Sequence, residues 1–121
     1  MVNKNSPTEA QEQRTVVAYC DLKKIPCFHI PNGGSRDARE ARNLKLQGMK
    51  PGVPDLFVPL ARSGFHGLFI EMKRRTGGRV SEKQAEWLER LQAENYAAVV
   101  CHGADEAINA IELYMRRRTN E

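Results

Sequence analysis

The chain has 121 residues, with 19 Lys and Arg against 15 Asp and Glu, for a formal net charge of +4. That length supports one hydrophobic core and is too short for two, so a single domain over residues 1–121 is expected, with a mild basic excess compatible with a polyanionic partner. No apolar run approaches the ~20 residues of a membrane span, Met1 to Pro7 is polar, and Cys20, Cys27 and Cys101 lack the C-x-x-C spacing of a zinc cluster; a soluble, cytoplasmic protein with buried reduced thiols is expected.

Ser6, Pro7 and Glu9 read as N-cap, N1 and N3 of a first helix over about 7–24, with Val16, Val17, Cys20 and the stem of Lys24 on one stripe. Ile25 to Ile30 is short and apolar and stops at Pro31, which predicts a strand running into the turn Asn32-Gly33-Gly34. Ser35 to Leu46 is charged and thin in apolar residues, as in a loop or a poorly packed helix. Strands are expected at about 56–60 and 68–72, joined through Arg62-Ser63-Gly64 as an antiparallel hairpin. Ser81 and Gln84 form a capping box opening a helix with Trp87, Leu88 and Leu91, and Tyr96 to Cys101 reads as a buried strand. Gly103 to about Arg117 is an amphipathic helix through Ala107, Ile108, Ile111 and Met115. The order is αβ, a loop region, then ββαβα, which is an α/β pattern.

The hairpin carries chemistry. Asp55 enters an apolar strand just after Pro54, where an unpaired carboxylate is costly, and Glu71 and Lys73 share one face of the next strand because side chains alternate. Cleaving a phosphodiester needs an activated water and a cation to offset phosphoryl charge, and Mg²⁺ prefers hard oxygen ligands. Asp55, Glu71 and the backbone carbonyl of Met72 would supply those oxygens, with Lys73 orienting the attacking water. Glu9 by spacing alone is the N3 acid of the Ser6 box, and Gln84 is a capping side chain.

Pro54-Asp55 followed by Glu71-Met72-Lys73 resembles the PD-(D/E)-x-K nuclease motif. The longer string, His29-Ile30-Pro31-Asn32-Gly33-Gly34, Lys50 to Leu56, Phe69 to Lys73 and then Gln84, is similar to the small stand-alone VRR-NUC branch, from about Thr8 to Tyr114. The resemblance implies a restriction-endonuclease-like core, a mixed central sheet flanked by helices, and a Mg²⁺- or Mn²⁺-dependent DNA endonuclease. It implies that a helix-one Glu four residues before a Gln reaches the metal, which matches Glu9 with Gln13; Glu12 competes but has Val16 at that spacing. It also implies that Gln84 lies near Lys73, and that stand-alone members act as homodimers on branched DNA, as Holliday-junction resolvases do. A flap or nicking nuclease of repair or replication, and a non-catalytic nucleic-acid-binding module, are the alternatives.

Basic residues flank the acidic ones. Arg74, Arg75, Arg79 and Lys83 surround Gly77-Gly78, and Arg36, Arg39, Arg42, Lys45 and Lys50 precede Asp55. Arg74, Arg75 and Arg79, with the backbone of Asn32, Gly33 and Gly34, are the expected phosphate contacts. Such contacts position a duplex without reading sequence, so structure-selective cleavage is expected. His29, beside the Asn32 turn, reads as structural.

Overall fold

The structure, a computed structural model, describes residues 6–33 and 37–118. Helix α1 (Glu9–Lys23) starts later than Ser6 would place it. Its N-cap is Thr8, whose side chain accepts the Gln11 N–H at 3.1 Å while the Gln11 side chain accepts the Thr8 N–H at 2.8 Å. Ser6 with Glu9 and Thr8 with Gln11 offer the same reciprocal bonds. The second box is used, so Glu9 becomes N1 and its carboxylate is free of capping. Glu12, Val16 and Cys20 form the buried stripe, whereas Lys24 is an exposed C-cap at φ 58° and lies outside it.

Strand β1 is only Phe28–His29, where six residues were expected. Pro26 and Pro31 bracket it, and a residue without an N–H cannot extend a ladder. The charged stretch that follows contains a helix, α2 (Ala38–Leu46), capped by the Asp37 side chain on the Arg39 N–H at 2.9 Å, with no buried residue.

Strands β2 (Leu56–Val58) and β3 (Leu68–Lys73) pair antiparallel, Leu56 opposite Ile70 and Val58 opposite Leu68. Pro59 ends β2 two residues early. Arg62 bridges Phe65 across Ser63 and Gly64, both at positive φ, which gives the hairpin the turn twist that suits right-twisted strands. The chain returns through α3 (Glu82–Ala93), opened by the Ser81 and Gln84 box, to β4 (Ala97–His102), which runs parallel to β3. Helix α4 (Ala104–Met115) closes the fold. The sheet order is β1-β2-β3-β4, a mixed sheet flanked by helices.

Alternation sorts the faces. Leu56, Val58, Leu68, Ile70, Met72 and Cys101 bury against Val16 and Cys20 of α1 and Ala107, Ile111 and Tyr114 of α4. The opposite face of β3 carries Phe69, Glu71 and Lys73. Near the hairpin that face is aromatic, with Phe57 stacked on Phe69 at 4.3 Å, and at the far end of β3 it is charged. The three cysteines are free; Cys20 and Cys101 are buried, Cys27 half-buried, and burial pushes the Cys101 thiol up to about 12.

Gly52 sets the approach of the Asp55 segment to α3. Its φ is +92°, and a Cβ there would lie 2.8 Å from the Lys83 carbonyl carbon. Gly52→Ala is therefore expected to cost about 1–3 kcal/mol in urea unfolding from backbone strain alone. An unchanged midpoint would show that the turn yields without strain.

Candidate active site

Asp55 sits at the entrance to β2, and its carboxylate continues the ladder that the backbone has left. Oδ2 accepts the Met72 N–H at 2.7 Å, and Oδ1 lies 3.5 Å from Asn32 Nδ2. The Asn32 amide also donates to the Val53 carbonyl. The Asp55 carbonyl accepts the Ile30 N–H at 2.8 Å and lies 2.9 Å from His29 Nδ1. The N–H and C=O of one strand residue project to the same edge, so the Met72 carbonyl faces the Asp55 side of β3.

Glu71 is 1% exposed. Its Oε2 accepts from Gln84 Nε2 at 3.1 Å and lies 3.5 Å from Lys73 Nζ, while Oε1 is buried with no hydrogen-bond donor among the described residues. Burial, and next the charge of Asp55, push its carboxyl up to about 8, against a smaller opposing pull from Lys73. Gln84 is shared between two partners: Oε1 accepts the Ser81 N–H at 2.8 Å as a cap, and Nε2 donates to Glu71.

Glu9, at the first turn of α1, completes the group. Glu9, Asp55 and Glu71 each present an oxygen within 4.8 Å of the others. The set fits a hard divalent cation, because three carboxylates converge and one buried oxygen, Glu71 Oε1, has no donor among the described residues. Glu12, the competing carboxylate, is turned away into a salt bridge with Arg75 at 2.9 Å. Gln13 reaches the His29 ring, its Nε2 3.0 Å from Nδ1, and so links α1 to the strand that meets Asp55.

The expected phosphate contacts divide. Arg74 is half-buried and Arg79 exposed, both close in sequence to Lys73; Gly33 is exposed, and Gly34 lies outside the described residues. The Arg75 side chain is 46% exposed, and its three guanidinium nitrogens engage Glu12 and Asp105. Nothing in local spacing marked this pairing, whose partners are 63 residues apart.

Three comparisons bear on the arrangement. Residues 7–105 match the profile of the VRR-NUC domain. A solved structure titled "VRR_NUC domain protein" is 31% identical, superposes with a TM-score of 0.83, and the alignment covers 97% of this chain and 95% of that one. No curated protein sequence matches the chain.

Proposed function

The chain belongs to the VRR-NUC domain family, and from that premise we propose that this nuclease-type domain is a Mg²⁺- or Mn²⁺-dependent endonuclease acting on DNA, selective for branched substrates such as the Holliday junction. The observation that carries the reading is the convergence of Glu9, Asp55 and Glu71 around a buried carboxylate oxygen that has no donor among the described residues, beside Lys73.

Glu9, Asp55, Glu71 and the Met72 carbonyl are the groups that would hold the cation. A divalent ion bound there supplies charge to offset the phosphoryl oxygens and lowers the pKa of a coordinated water. The protein's own contributions are specific. The Met72 N–H fixes the Asp55 carboxylate, and Gln84 fixes that of Glu71. Lys73, nearly buried with its ammonium beside Glu71, orients the attacking water and offsets charge that develops in the transition state. The backbone of Asn32 and Gly33, together with Arg74 and Arg79, contacts phosphates, which positions DNA without reading bases. Two copies related by a two-fold axis would place one site on each of two strands of a four-way junction.

The test is incubation of the purified chain with labelled four-way junction, flap, linear duplex and single strand, in Mg²⁺, Mn²⁺ or EDTA. Cleavage is expected only with metal and fastest on the junction. Faster cutting of the flap makes it a flap nuclease, and no cleavage in either metal overturns the enzyme assignment in favour of a binding module.

Neutralising Arg74 and Arg79 together is expected to weaken binding to every DNA by a similar factor and to reduce the salt slope by about 1 per residue. Binding isotherms for junction and duplex across a salt series check this. A loss confined to the junction would show that the turn reads branch geometry.

A further inference from the structure

Glu12 is the carboxylate of α1 that the acidic cluster leaves out, and its surroundings give it a different task. It is 2% exposed, yet protein donors satisfy both of its oxygens. Oε2 accepts from Arg75 Nε at 2.9 Å and from the Ala104 N–H at 3.3 Å, and Oε1 accepts from Arg75 Nη2 at 3.1 Å. Arg75 Nη1 lies 3.4 Å from Asp105 Oδ2. Gly103 leaves the room required, since a Cβ there would sit 2.6 Å from Glu12 Oε2. The Gly103 N–H donates to the Lys73 carbonyl at 2.9 Å. One buried carboxylate therefore ties together α1, the segment leaving β3 and the N-terminus of α4.

These ties lie next to the reacting groups. Glu12 follows Glu9 by less than one helical turn, and Arg75 lies just beyond Glu71 and Lys73. A short stretch of helix moves as a rod, and two parallel N–H···O bonds fix orientation as well as distance. Glu9 itself is exposed at the helix start, so its own burial does not hold it against Asp55 and Glu71. We propose that Glu12 and Arg75 are a positioning pair that holds Glu9 in place, so that the cluster's affinity for a divalent cation depends on a salt bridge that never touches the ion. This rests on the reading of the cluster as a metal site.

Mn²⁺ titration calorimetry on the purified chain without DNA tests it. Arg75→Ala is expected to weaken Mn²⁺ binding by about 10–100-fold, as loss of an outer-shell partner does. Arg75→Lys keeps the charge but loses the two-pronged geometry, and should fall between the two. The deciding comparison is the double variant Glu9→Gln with Arg75→Ala. Once Glu9 is no longer a ligand, removing Arg75 should weaken Mn²⁺ binding by less than about threefold more, because coupled residues do not add. A pair that acts on the site by a route other than Glu9 would instead give the full further loss, and a merely stabilising salt bridge would leave Mn²⁺ affinity unchanged in folded Arg75→Ala; either result overturns the proposal. If Arg75→Ala fails to fold because Glu12 is left buried and unpaired, Glu12→Gln with Arg75→Ala removes both charges, and the same loss of affinity is expected. A wild-type chain that binds no Mn²⁺ overturns the cluster reading and the positioning pair with it. Wild-type binding that is lost in Glu71→Gln and kept in Arg75→Ala overturns the pair alone.

Discussion

Asp55→Asn and Glu71→Gln are each expected to lower metal-dependent cleavage by about a thousandfold or more while leaving the chain folded, since a metal's charge stabilisation is worth several kcal/mol. Each substitution keeps the side-chain volume and removes one negative ligand. The two should differ in stability. Glu71 is held near 8 by burial and by Asp55, against an ordinary value of 4.5. Between those two values the metal-free folded protein keeps a proton that the unfolded chain releases. Stability therefore falls as pH rises through the window, by up to about 1.4 kcal/mol per unit, and the penalty is complete above the folded value. Glu71→Gln abolishes that contribution, so its apo form should gain on the wild type from acid toward pH 8, and added Mg²⁺ should narrow the gap. Cleavage assays with thermal unfolding across pH check both parts. Near wild-type turnover by either folded variant would sink the assignment, and a stability difference that does not grow with pH would show that Glu71 is ionised in the apo protein.

Lys73→Ala is expected to lower turnover by about 10²–10⁴-fold while changing metal affinity little. The ammonium lies 3.5 Å from Glu71 Oε2 and is nearly buried, so its loss removes a positioned cation and donor from the site without removing an oxygen ligand. Because Lys73 also pulls the Glu71 carboxyl down, its loss raises that carboxyl further, so the calorimetric comparison is made across a pH series, where affinity recovered as pH rises marks a protonated ligand rather than a lost one. Loss of the metal signal together with turnover would mean that Lys73 builds the site rather than acting in it.

The local devices were legible along the chain. The β2 and β3 hairpin, the Ser81 and Gln84 capping box, the buried β3 run and the apolar stripe of α4 each depend on neighbours within a few residues, where alternation and capping rules apply. Asp55, Glu71 and Lys73 stood out for the same reason: charged groups on apolar strands need partners. Other features depended on which distant surface a side chain meets. Two overlapping boxes at the start of α1 offer equal hydrogen bonds, and only the assembled fold selects Thr8 and leaves Glu9 beside Asp55 and Glu71. Pattern alone did not separate Glu9 from Glu12, because both are helix carboxylates less than a turn apart; Arg75, 63 residues away, and the Ala104 amide, 92 residues away, take up Glu12. The sequence by itself determined most of the elements and the charged groups they carry, since those follow from short-range backbone geometry. The tertiary structure decided which carboxylate joins the cluster and which joins a salt bridge, because a charge takes its role from the charges brought next to it.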